Sequence, residues 1–301
     1  MKSTGALISL AGLLGWTALA GDFDARTHAS GGAADRQPLT ELFRMKNLIA
    51  WCIVPFDARA RGPEERAQML KRLGFAKFAY DWRDKDIPSF DAELEALNRH
   101  GIELTAFWFP ISLQPERDRN AATILEFLRR RKVKTQLWLS LNVPDIVGSQ
   151  EQKLAAAAAA VRWVAEQAAP LGCKVGLYNH GGWFGEPEHQ LAVVERLQLD
   201  HVGLVYNLHH GHDQLARLPE LLRRIRPHLL SLNLNGMVKG GDRAGKKIVP
   251  LGAGDDDAAL LRAIRDSGVR GPFGILGHRE ELDAEVALKL NLDGLAALLR
   301  H

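Results

Sequence analysis

Five histidines of this 301-residue chain fall just past short apolar runs: His180, His209, His210, His212 and His278. Imidazole titrates near neutrality, so several converging from neighbouring segments could shuttle protons or bind Zn²⁺ or a similar ion. The other six histidines sit in a polar linker or in helical and loop segments, where surface positions are the rule. His209 and His210 are adjacent and cannot both point the same way on a strand. His210, three residues after Asn207, is taken as the inward one. Around the histidines stand asparagines able to satisfy hydroxyls, Asn179, Asn207, Asn233 and Asn235, and the aromatic rings of Tyr80, Trp108, Tyr178 and Trp183. Flat rings over a polar cleft suit the C–H faces of a sugar. The bland alternative is that the rings only fill the space. His180, His210 and His278 are the expected acid and base groups, with Glu186 or Glu188 as a further base. Glu186-Pro187-Glu188 reads equally well as the first turn of a helix, where acids complement the dipole. His209 and Lys246 complete the expected substrate contacts. Lys246 and its neighbour Lys247 lie in a long Gly-rich segment, 237–254, that could hold an anionic sugar or be a solvated loop.

Something must bring these residues together. From residue 47 onward, β-rich apolar runs alternate with amphipathic helical patterns. The runs are 48–54, 76–80, 103–109, 135–141, 174–178, 202–206, 229–234 and 273–276, starting about 25 to 45 residues apart, the length of a strand, a helix and two loops. Pro63-Glu64-Glu65 opens one helix, and Gly101 closes another just past His100. Six consecutive alanines, Ala155 to Ala160, read as helix propensity. Eight such β–α units predict parallel strands joined by right-handed crossovers and a single-domain α/β chain, a closed (β/α)₈ TIM barrel over residues 41–301. A doubly wound open sheet would need a nucleotide fingerprint after its first strand, and Pro55-Phe56-Asp57-Ala58-Arg59 is not one. In such a barrel the carboxyl ends of the strands carry the chemistry, which is where the histidines, asparagines and most tryptophans fall.

The order of the strand-end motifs resembles the sugar phosphate isomerase/epimerase families, whose xylose isomerase-like barrel is shared with endonuclease IV. Tyr178-Asn179-His180, Asn207-Leu208-His209-His210, Pro250-Leu251-Gly252-Ala253-Gly254 and Ser267-Gly268-Val269-Arg270-Gly271-Pro272 carry the likeness, which covers roughly residues 45–300. The resemblance implies sugar isomerisation or epimerisation, with a divalent metal held by Glu, Asp, His and Glu. At those positions this chain has Tyr178, Asn207, Asn233 and Leu276 or Gly277, so the usual carboxylate ligands are absent. A metal site would have to be rebuilt from histidines. Asn179, His180 and His210 match residues that contact substrate or support the site.

Composition bounds the rest. A net charge of +3 from 39 basic and 36 acidic residues leaves no nucleic-acid footprint. The run 129–134 reads as the solvated end of a helix. Lys2, the apolar stretch 6–20 and Ala18-Leu19-Ala20 describe a signal peptide over 1–20, with an uncleaved anchor as the alternative. Residues 21–40 read as a flexible linker, so the mature protein is expected in the periplasm or secreted, without a stable membrane span. Two cysteines, Cys52 and Cys173, fall on distant strands and are expected to be unpaired core residues. The expected function is an exported, carbohydrate-active isomerase, epimerase or lyase acting on a small-molecule sugar or glycoside. A non-catalytic carbohydrate-binding barrel is the alternative. Nucleic-acid repair lacks its cluster of metal ligands.

Overall fold

The computed structural model describes residues 37–143 and 146–300. The expected signal peptide and linker residues 21–36 lie outside the described residues. Among the described residues no helix is long and apolar enough to cross a membrane.

Eight parallel strands close in chain order into a barrel: β1 (Leu48–Trp51), β2 (Lys77–Tyr80), β3 (Glu103–Ile111), β4 (Gln136–Leu141), β5 (Lys174–Tyr178), β6 (Val202–Asn207), β7 (Leu229–Leu234) and β8 (Phe273–Leu276). The seam between first and last strands pairs Leu48 with Phe273 through Trp51 with Leu276. The helices are α1 (Leu39–Leu42), α2 (Pro63–Arg72), α3 (Phe90–Arg99), α4 (Arg119–Arg131), α5 (Gln150–Ala168), α6 (Gly182–Gly185), α7 (Pro187–Leu197), α8 (Leu218–Ile225), α9 (Asp257–Asp266) and α10 (Ala284–Leu298). Local chemistry sets their ends. Pro63 with Glu64 and Glu65 opens α2, and a reciprocal Ser149–Gln152 capping box opens α5. Lys132, left-handed at φ 52°, ends α4. In the basic run, Arg130 and Arg131 at that end both pair with Asp91 of α3.

Alternate residues of each strand split the apolar side chains into two layers. Ile49, Ala79, Ala106, Trp138, Val205 and Leu276 fill the barrel interior, while Phe78, Phe107, Leu137 and Leu204 face the helices. Tyr80 belongs to that outer layer, packed edge-on against Phe90 and Phe107. It is therefore core and lies outside the mouth, contrary to its expected substrate contact. Strand β1 stops three residues short of the expected run for a visible reason: the Asp81 carboxylate accepts the backbone N–H groups of Ile53 and Val54, at 3.3 and 3.1 Å. Donors that would extend the ladder are thus taken by a side chain.

Candidate active site

At the carboxyl ends of the strands the interior opens into a cavity of about 520 Å³. Its apolar wall is aromatic. Trp51, Trp108 and Tyr178 line it, with Trp51 and Trp108 ring centroids 6.1 Å apart and Trp108 edge-on to Tyr178 at 4.8 Å. Trp138 lies beneath them, fully buried and edge-on to Trp51. The Trp51 indole N–H donates to the Tyr178 hydroxyl at 3.2 Å. Trp51 and Trp138 are thus packed into the barrel, as the space-filling reading has it, and Trp108 is the half-buried ring at the wall.

His180, His209, His210, His212 and His278 all line this cavity. Ring centroids of His180 and His210 are 4.8 Å apart, and those of His209 and His210 are 3.8 Å apart. His278 stacks on Phe56 at 3.5 Å. Both His209 and His210 reach the cavity because β6 ends at Asn207 and residues 208–210 form a 3₁₀ turn. Side chains there are not held to strand alternation, which corrects the choice of His210 alone. Burial, then the charges of Lys247 and Arg83, pushes His180 below the usual range. His278 falls to about 4, through burial and then Arg83 and Lys247. His210 falls to about 2, through burial and then neighbouring His180 and Lys247. Burial drives His209 well down. Near pH 7 the rings of His180, His209, His210 and His278 are neutral.

The asparagines do something different from the contacts expected of them. Asn179 Oδ1 accepts from the backbone and side chain of Asn207, at 2.7 and 3.0 Å, and Asn233 Nδ2 donates to Asn207 Oδ1 at 2.6 Å. This amide ladder ties the ends of β5, β6 and β7 together, and neither its members nor Asn235 line the cavity. Asn235 donates within its own turn, to the Gly236 carbonyl at 2.8 Å. The ladder also tests whether the carboxylate metal site implied by the resemblance fits. Tyr178 is a hydroxyl already accepting from Trp51, Asn207 donates to Asn179 and accepts from Asn233, and Asn233 keeps only a neutral, unpartnered Oδ1. Leu276 is buried in the barrel interior, and a Cβ on Gly277 would collide with Ile53. Among the described residues no group of three or more His, Cys, Asp or Glu side chains is arranged to hold a metal ion. The donor set does not fit that ion.

Four further expected residues sit away from the cavity. Glu186 precedes α7 and accepts from Gln214 at 3.2 Å, while Glu188 in the first turn pairs with Arg217, so the helix-start reading of both describes their surroundings. The Trp183 ring stacks on His189 and its N–H donates to Gln150. Lys246 is exposed, and its neighbour Lys247 lines the cavity instead. The segment carrying them is held over the mouth by a Gly236–Val249 bridge and by a 2.9 Å contact from His212 to the Lys247 carbonyl.

The cavity also holds residues that the sequence reading passed over, notably Cys52, Phe56, Asp81 and Arg83. Asp81 had a usable signal. In Phe78-Ala79-Tyr80-Asp81 the small Ala79 is inward and Tyr80 outward, so alternation carries Asp81 inward. Its burial raises its carboxyl to about 7. Cys173 is a free, buried core thiol as expected; Cys52 is free and buried but at the cavity wall.

A sequence profile of the family described as xylose isomerase-like TIM barrel matches residues 67–297. Among solved structures, the IOLI protein with a bound zinc atom superposes with a TM-score of 0.67 at 17% identity, over 84% of this chain and 97% of that one. The probable 3-DHS dehydratase AsbF of Bacillus anthracis gives 0.64 at 15%, over 83% and 98%. The 3-keto-D-glucoside 4-epimerase YcjR of E. coli gives 0.63 at 17%, over 86% and 100%. At these identities the likeness is one of fold. No curated protein matches the chain.

Proposed function

The chain belongs to the xylose isomerase-like TIM barrel family, and on that premise we propose that it is an exported sugar-processing enzyme, an isomerase, epimerase or lyase that moves a proton beside a sugar carbonyl. The observation that carries this reading is the gathering of five imidazoles in one aromatic-walled cavity. An epimerase and a dehydratase among proteins of like fold lend it support.

Proton abstraction beside a carbonyl needs a base, an acid and a donor to the oxyanion that develops. A base works best when its pKa lies near the operating pH. His210, at about 2, is too weak for the role assigned to it from sequence. His278 and His180, less deeply buried, keep more basicity and take the role of base. His210 remains useful as a neutral N–H donor to the oxyanion, a role that a depressed pKa favours because the ring stays electrically neutral. Trp108, half-buried at the cavity wall, offers a face for the C–H side of the ring. Sugar or glycoside is the substrate class.

The test is deuterium exchange in D₂O, followed by NMR, over a panel of hexoses, keto-glycosides and sugar acids. One sugar should exchange the proton beside its carbonyl, and His278→Gln should slow that exchange by about 10²- to 10⁴-fold. If a sugar changes the tryptophan fluorescence in wild type but not in Trp108→Phe, and no panel member exchanges or reacts, the barrel is a binding protein. Export is tested by the amino-terminal mass of the processed protein, expected to begin at Gly21.

A further inference from the structure

Cys52 directly follows β1 in a left-handed backbone, φ 61°. A residue with a side chain adopts that conformation only at a cost, and such positions gather at functional sites. The side chain lines the cavity with 8% of its surface exposed. Asp81, the residue after β2, lines the same cavity, is 1% exposed and interacts with the thiol through its side chain. Oδ1 of Asp81 accepts from Ile53 and Val54, so the carboxyl fixes the turn that presents Cys52. Oδ2 is buried and has no hydrogen-bond partner. A carboxyl that only capped the turn would not need its second oxygen stranded in the wall of a polar cavity. Strands β1 and β2 also stand across the closed barrel from β5 and β6, which carry His180, His209 and His210.

We infer that Cys52 and Asp81 are a proton-delivery pair: Cys52 meets the substrate as the catalytic acid, and Asp81 behind it is the positioning residue that replaces the proton. The pair rests on the proton-transfer reading above. After a histidine has taken the proton beside the carbonyl, the S–H bond of Cys52 breaks as a new C–H bond forms on the enediolate. The Asp81 O–H proton passes to sulfur, leaving a carboxylate that still accepts from Ile53 and Val54. The imidazolium proton returns to Asp81 through solvent and closes the cycle, with no oxidant or reductant needed. Protonation states agree with this geometry. Burial lifts Asp81 to about 7, opposed by its backbone bonds and by the charges of Arg83 and Arg66, so a proton is held there near neutrality. Burial and then the Asp81 charge keep Cys52 a thiol, against Arg83. Tyr178 faces Cys52 from β5 and is itself held protonated by burial.

Two experiments judge the pair separately. In a Cys173→Ser background, the iodoacetamide alkylation rate of Cys52 is followed from about pH 6 to pH 11, across the usual thiol range. Cys52 should ionise above that range. Asp81→Asn keeps the Oδ1 acceptor and should raise alkylation near pH 8 about tenfold; a rate unmoved by it overturns the pairing. With whichever panel sugar exchanges deuterium, Cys52→Ala should cut product formation about 10²-fold or more while release of the substrate proton to solvent continues. Cys52→Ser should restore part of the lost rate. Product formation untouched in Cys52→Ala sinks the inference and leaves the histidine reading standing. A wild-type protein that exchanges no sugar sinks that reading and this catalytic assignment together, while alkylation still decides whether the two groups interact.

Discussion

Two titrating residues of the cavity set stability against pH in opposite senses. The folded pKa of His278 is about 4 against an ordinary 6.5, so between those values the unfolded chain binds more protons and stability falls as pH drops. Asp81, raised from 3.8 to about 7, does the reverse: the folded chain binds more protons, and stability falls as pH rises through that window. Urea unfolding from about pH 4 to pH 8 separates them. His278→Gln should shrink the loss on acidification, and Asp81→Asn should remove part of the loss on going to neutral pH. An Asp81→Asn profile parallel to wild type would mean that Asp81 is ionised throughout. The amide ladder gives a sharper residue-level test. Asn207→Asp deletes the side-chain donor to Asn179 Oδ1, leaving the backbone one, and sets a carboxylate oxygen against that acceptor. The expected cost is about 1–3 kcal/mol, growing as pH rises and the new carboxyl ionises. A variant as stable as wild type at pH 8 would show that the side-chain link between Asn207 and Asn179 contributes nothing.

At the scale of elements, the alanine run of α5 shows a propensity signal turning into packing. Ala157, Ala158 and Ala160 are buried against the barrel, whereas Ala159 is exposed. Small side chains let the helix backbone sit close to the strands, so Ala157→Leu should destabilise by about 1–3 kcal/mol through overpacking. Ala159→Leu should stay within about 0.5 kcal/mol, and equal denaturation midpoints for the two would refute that placement. The eight strands were legible because burial on both faces writes each as an unbroken β-rich run, and the spacing left little choice of topology. Several site residues were less legible, because each depends on a strand's last residue. At β2 the run shows its parity, yet Tyr80 drew notice by type while Asp81 turns inward. At β6 the turn after Asn207 sends both His209 and His210 to the cavity, and nothing in the two residue names announces a 3₁₀ turn. The ladder of Asn179, Asn207 and Asn233 needs the lateral register of three strands, which no single segment encodes.

Over the whole molecule, the mouth is only as well defined as the seam that closes the barrel. There the loop after β1 is fastened to the start of α10 by Arg61. Its guanidinium bonds Asp57 at 2.8 Å and reaches Asp283 at 2.7 Å, with Arg61 and Asp57 side chains both 3% exposed. Asp57 in turn accepts the backbone N–H of Ala284 at 3.1 Å. One residue before Asp57, Phe56 stacks on His278, so the clamp sits next to the contact that orients a proposed base. Removing one partner of a buried pair leaves the other charge uncompensated, which typically costs about 3–5 kcal/mol. Arg61→Ala should therefore lower stability by that amount and, where the fold survives, slow deuterium exchange by loosening the ring of His278. Arg72, which reaches Glu285 from an exposed position, is the control: Arg72→Ala should leave both measurements nearly unchanged, since exposed pairs contribute little. The two effects of Arg61→Ala can also be parted. If Arg61→Ala, assayed well below its melting temperature, exchanges as fast as wild type, the seam holds the fold together without setting the geometry of His278. If exchange falls with the fold intact, the closure of the barrel and the placement of the base are one piece of structure.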